Sequence, residues 1–461
     1  MKKTWKLISL LVILGLLVGG YAVYNSYLNK QNEESEPQKD TSVELLKIDS
    51  ESVVSIEYMF EEESVSLTKT DDVWGLKSDA DFPVKQSIVK TMTNGLSNIV
   101  ATREIAQTTE KEADFGLDTP SFVISFSTKS GQSYDYSLGD YNSVAEGYYA
   151  KISGQERIYL VANTALDSFS YGVMDMIETE TLPTVDAENI TSVEVKGGQK
   201  FLFVTTDDEG ATFYSKPYTY FTKNTKGETI AVDAVAGAEF MSAVAGLSFN
   251  GVEVFKPDAE KYANCGLSQD KRFELVVNYK EKVEQEDSDA SVDVFADKSY
   301  SVYIGKNTDD KGNESFYAIL KDSNILYKLK GGEELYKSLD ADFESKLVCP
   351  ISKDDALSVK VEIKPTSSVY SYSLVDIEKD TKLTEIYNKI NSVVFSEKLE
   401  NAKKGKHILA IEFEVDEKIL VLNVYEYNED NYIASFDTVG NMLVSIEQVD
   451  NIIKSLKDYN K

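Results

Sequence analysis

The chain has 461 residues, more than a single hydrophobic core usually holds, and at 42% hydrophobic with only 8 Pro most of it should fold. Its net charge of -30 excludes a protein that wraps a nucleic-acid backbone, because phosphate binding needs clustered Lys and Arg. One His and two Cys exclude a histidine metal cluster, an HExxH zinc site and a disulfide-stapled scaffold.

The first element is "MKKTWKLISLLVILGLLVGGYAVYNSYLNK". Three lysines precede an uncharged run of 23 residues, Leu7 through Asn29. As a helix that run would span roughly 35 Å, enough for a hydrocarbon core of about 30 Å. Leu7, Leu11, Ile13 and Leu17 are the expected anchor residues, and lysines before the run place the N-terminus in the cytoplasm. The competing reading is a cleaved signal peptide, since Gly20-Tyr21-Ala22 offers small residues at cleavage spacing. Residues 1–28 are expected to be the cytoplasmic tip and anchor, and the polar stretch 29–44 a tether. Under either reading the bulk of the chain is extracytoplasmic.

Beyond the tether the same series of elements is written three times. Each copy opens on a period-two strand: "VVSIEY" with Val54, Ile56 and Tyr58, "ITSVEV" with Val193 and Val195, and "LSVKV" with Val359 and Val361. A second strand follows, then an amphipathic helix. In the first copy Val84, Ile88, Met92, Leu96 and Ile99 form the stripe; residues 231–247 are the second copy's helix; Leu383, Ile386, Tyr387 and Ile390 mark the third. A short strand leaves each helix, at 99–105, 249–255 and 393–399. Four-strand meanders close the copies, each followed by a short helix.

Between helix and meander stand "DFGLDTP" and "NCGLSQD". Gly116 and Gly266 are expected to supply a turn that glycine makes cheaply, and Leu117 and Leu267 to plug a core. The third copy writes "AKKGKHI" there instead. Cys265 occupies the position of Phe115, as a small buried hydrophobe; whether it pairs with Cys349 is open. The expected architecture is therefore α+β: a transmembrane helix and three tandem units, 45–180, 181–348 and a divergent 349–461, each an antiparallel sheet packed with an amphipathic helix.

The anchor, the "VSIEY" strand, the "DFGLDTP" corner and the "LGDYNSVAEGYYAKI" hairpin resemble the domain of unknown function 4340 family, best over about residues 50–180. Its members are membrane-anchored bacterial proteins without assigned catalytic residues. They occur beside transporter components of the ATP-binding-cassette type and proteins similar to gliding-motility auxiliary factors. The resemblance implies a membrane-embedded partner such as a transporter-like permease, not a reaction.

Chemistry-bearing patterns are few. His407 starts a strand with no nucleophile elbow to serve. "NTDDKGNESFYA" places Asn307, Asp309 and Gly312 at calcium-loop positions but puts Lys311 and Ala318 where ligands are required, so a solvated turn is expected. Tyr134, Tyr136, Tyr148, Tyr149 and Tyr159 would suit a glycan-stacking surface, although strand propensity explains them more simply. The expectation is a non-catalytic binding or scaffold protein with no cofactor or metal, in contact with the lipid bilayer through its N-terminal helix. Alternatives are an exported cell-wall hydrolase using acidic residues and a calcium-dependent adhesin.

Overall fold

The computed structural model describes residues 42–107, 112–198, 200–283, 294–437 and 439–461. The anchor residues Leu7, Leu11, Ile13 and Leu17 lie outside them. Among the described residues no helix is long and apolar enough to cross a membrane. The chain divides after Glu178 into two compact units, the second being Thr179–Lys461.

In the first unit, β1 (Val43–Lys47) pairs with β5 (Asn98–Ala101) in a two-stranded sheet. β2 (Val53–Phe60), β3 (Glu63–Thr70) and β4 (Val73–Leu76) begin the main sheet. Helix α1 (Gln86–Ser97) follows, and then β6 (Arg103–Gln107). The meander is β7 (Phe122–Thr128), β8 (Ser133–Asn142), β9 (Gly147–Ile152) and β10 (Arg157–Ala162). The eight strands lie in the order β4-β3-β2-β7-β8-β9-β10-β6. Helix α1 buries Val89, Met92, Thr93 and Leu96. Each fully buried Met or Leu contributes roughly 1.5–3 kcal/mol.

The second unit holds two sheets. The first consists of β11 (Ile190–Gly197), β12 (Lys200–Thr205), β13 (Phe221–Lys223), β14 (Thr229–Ala231), β15 (Ser248–Phe255), β16 (Phe273–Val283), β17 (Val294–Thr308), β18 (Glu314–Leu320) and β19 (Ile325–Lys330). Its order is β14-β13-β12-β11-β16-β17-β18-β19-β15. The helices α2 (Ala234–Ala245) and α3 (Ala259–Asn264) flank β15, and α4 (Gly332–Ser338) follows β19.

The other sheet begins with β20 (Ala356–Ile363) and β21 (Ser368–Ser373), followed by α5 (Leu374–Lys379) and α6 (Thr381–Asn391). It continues through β22 (Phe395–Leu399), β23 (His407–Val415), β24 (Lys418–Glu426), β25 (Asn431–Phe436) and β26 (Gly440–Ser445), and α7 (Ile446–Tyr459) ends the chain. The order is β21-β20-β23-β24-β25-β26-β22. All three large sheets thus share a run from the second strand of a copy, through its first strand and meander, to the strand that leaves the helix, and the first two extend beyond the second strand by β4 and by β13-β14.

The α+β expectation is overturned: the protein is mostly β, with 46% strand, 22% helix and four antiparallel sheets. The main helices span 11 to 14 residues each and cover seven to nine strands apiece. Short strands that sequence periodicity does not register tip the balance. β4, β13 and β14 have four, three and three residues, too few to show a period of two. In the first copy the stretch 99–105 divides between β5 and β6, which belong to different sheets. The helix expected over 231–247 begins later, because Asp233 caps it by accepting from the Val235 and Ala236 N–H groups at 3.0 Å.

Candidate functional site

The repeated Gly-Leu corner is a backbone joint. In the first copy a short turn at Glu112–Phe115 ends in Gly116 at φ +66°, and Leu117 N–H closes it on Glu112 O at 3.0 Å. In the second copy α3, capped by Asp258, ends likewise at Gly266 with φ +66°, and Leu267 N–H donates to Tyr262 O at 2.8 Å. A Cβ on Gly116 would meet the Asp140 backbone nitrogen at 2.8 Å, and one on Gly266 would meet that of Lys306 at the same distance. The opposing residues are themselves glycines: a Cβ on Gly139 or Gly305 would clash with the Phe115 or Cys265 carbonyl oxygen. Two chains therefore cross at glycine–glycine contact, and Leu117 and Leu267 are buried beside the crossing. Sequence reasoning missed Gly139 and Gly305. Their signal was a glycine at the same place in the second meander strand of both copies.

The third copy closes this corner differently. Gly405 N–H donates to Glu426 O and Glu426 N–H returns a bond to Lys406 O, both at 2.9 Å. His407 stacks on Tyr425 with ring centroids 4.7 Å apart, and Lys404 Nζ lies 4.8 Å from the same ring. His407 Nε2 is 3.1 Å from Leu409 O, so the histidine is tied into its own strand.

The other residues singled out by sequence are scattered. Tyr136 and Tyr159 are buried, and Tyr134 stacks on Phe126 at 5.1 Å, so these tyrosines build no common platform. Asp309 accepts from the Lys311 and Asn313 N–H groups at 2.9 and 2.8 Å, which spends its carboxylate on the β17–β18 turn. Among the described residues no group of three or more His, Cys, Asp or Glu is placed to hold a metal. Cys265 and Cys349 are both unpaired thiols, buried in separate clusters.

An open groove of about 850 Å³ lies between α2 and α4. Small residues line much of it, among them Ala238, Ser242 and Gly331, together with Glu239, Glu334 and Lys337. Helix α2 is apolar over much of its surface: Phe240 and Met241 are buried in the core, and Val235 is left 66% exposed. A smaller cavity of about 50 Å³ lies where the two sheets of the second unit meet, between Tyr218, Phe395 and Phe436. Beside it Glu344 pairs with Lys398 at 2.8 Å and Lys346 at 3.0 Å. Burial raises the Glu344 carboxyl, yet the two lysines outweigh it and hold the group below the ordinary carboxylate value.

The chain is thus a mostly-β protein whose sheets repeat one strand order, with a glycine joint in two of the three. Residues 74–270 match the family model described as domain of unknown function (DUF4340), which is the family the sequence resembles. The matched stretch runs from β4 through both glycine corners. No curated protein and no solved structure matches the chain.

Proposed function

We propose that the protein is a membrane-anchored, extracytoplasmic, non-catalytic binding or scaffold subunit that works beside a transporter-like permease. The observation that carries this reading is the use made of the repeated corner. Its glycines are consumed in holding strand against turn, and a motif repeated for packing leaves the sheets to serve as surface. The open groove beside α2 suits docking better than turnover, because it is wide and lined largely by small residues. The 23-residue uncharged run after three lysines supports the anchor.

A hydrolase using acidic residues would hold one carboxyl protonated near neutrality as its acid. Among the described residues, the carboxyls that are displaced move the other way. Glu57 is lowered by Lys77 and Ser66, Glu253 by Lys261, and Glu274 by Ser301 and Lys321.

The test is crosslinking of the full-length protein in native membranes, followed by purification and mass spectrometry. Stoichiometric recovery of a permease or its ATPase is expected. Recovery of the protein without either sinks the proposal.

A further inference from the structure

We propose that β21 is a docking edge for a second copy of this chain, the two β21 strands pairing antiparallel across a two-fold axis. The argument rests on a comparison within the molecule. In the first copy the second strand, β3, is covered by β4, with Leu67 opposite Leu76 and Lys69 opposite Trp74. In the second copy β12 is covered by β13, with Thr205 opposite Phe221. β21 holds the same place in the third sheet, and it is the terminal strand. Among the described residues no strand covers it: Ser373 closes a capping box with Asp376 and leads at once into α5.

An open strand edge is a template for another chain, and proteins blunt such edges with brevity, charge, proline or bulges. The other edges of the large sheets carry these devices. β4 and β14 have four and three residues. β6 carries Arg103 and Glu104, and β22 carries Glu397 and Lys398. The pairing of β15 is broken by two register shifts. β21 has none of them: it reads "SVYSYS" and pairs with β20 without a break from Ser368 to Ser373.

Its pattern is complementary to itself. Val369, Ser371 and Ser373 face solvent, while Tyr370 and Tyr372 pack half-buried against the core. With Ser371 on the axis, Tyr370 lies opposite Tyr372 of the second copy and Val369 opposite its Ser373, so each face stays on its own side. A contact of this kind is isologous and closes after two copies. A partner of charge -30 is repelled over most of its surface, whereas the six residues of β21 add no charge to the contact, and the Asp376 carboxylate beside its end is held by the Ser373 N–H and hydroxyl.

The experiment uses the full-length protein. Directly opposite residues of an antiparallel pair have Cα atoms about 4.5–5.5 Å apart, within reach of a disulfide. Ser371→Cys, oxidised in native membranes, should give a dimer band that reductant removes; the native thiols are buried. Ser87→Cys, on the exposed face of α1, should give none. In detergent, sedimentation should return a dimer for the unmodified chain. Ser371→Lys opposes two like charges on the axis and should weaken that dimer about tenfold or more, with circular dichroism unchanged and melting unchanged at dilutions where both chains are monomeric. A monomeric unmodified chain, a dimer indifferent to Ser371→Lys, or a Ser371→Cys crosslink to a different protein overturns the proposal.

Discussion

Gly116 and Gly266 carry two separate constraints, and substitution tests both. Each sits at φ +66°, where a side chain costs roughly 1–2 kcal/mol, and each faces backbone too close for a Cβ. Gly131 shares the positive φ, at +83°, but has open space around it. Gly116→Ala should therefore destabilise by about 3 kcal/mol and Gly131→Ala by about 1 kcal/mol in urea unfolding. Equal losses would show that the crossing strands yield freely. A second residue-scale prediction concerns Cys349, which burial pushes up to about 12 from an ordinary 9.0. The unfolded thiol ionises first, so its contribution to stability is complete below about pH 9 and is lost as pH climbs through 12. Cys349 should react with a thiol reagent at pH 8 no faster than the chain unfolds. Prompt modification of two thiols per chain in the native state would contradict the burial of both.

Helix starts govern the element scale. Asp233 holds two N–H groups of α2, so Asp233→Ala should cost about 1 kcal/mol while Asp233→Asn, which keeps the acceptor, costs a few tenths. A thermal melt of the two variants checks this, and similar losses would mean that the charge rather than the cap matters. Elements with long periods were legible in the sequence: the Leu383, Ile386, Tyr387 and Ile390 stripe is the buried face of α6, and each copy does carry a four-strand meander. In α1 the buried residue is Val89 rather than Ile88, because the helix begins only at Gln86 and Val84 pairs instead with Ile177. The three-residue β13 and β14 were not legible, since tertiary pairing and not local pattern makes them strands. The corner showed Gly116 and Gly266 but hid Gly139 and Gly305, because a contact between residues 23 and 39 positions apart leaves no local spacing to read.

At the scale of the whole molecule, charge decides how stability answers to salt and acid. With 78 Asp and Glu against 48 Lys and Arg, the folded chain repels itself. Many ion pairs among the described residues are exposed, such as Lys77–Glu57, and a pair of that kind contributes about 0–1 kcal/mol. Repulsion among many acids should outweigh them. Raising salt from about 0.01 M to 0.15 M shortens the screening length from about 30 Å to 8 Å, so the melting temperature at pH 7.5 should rise. A fall would mean that the ion pairs dominate. Acid adds a second, opposite effect. Glu274 is held below its ordinary 4.5 by the Ser301 hydroxyl and Lys321, so its contribution is present above about pH 4.5 and lost as pH falls through its depressed folded value. Glu253, held down by Lys261, behaves alike. The melting temperature should therefore drop below about pH 4.5 even as net charge shrinks. Glu274→Gln should melt lower than the unmodified chain at pH 7.5 and converge with it at pH 3. A constant gap between the two curves would show that Glu274 stabilises by packing and not by its charge.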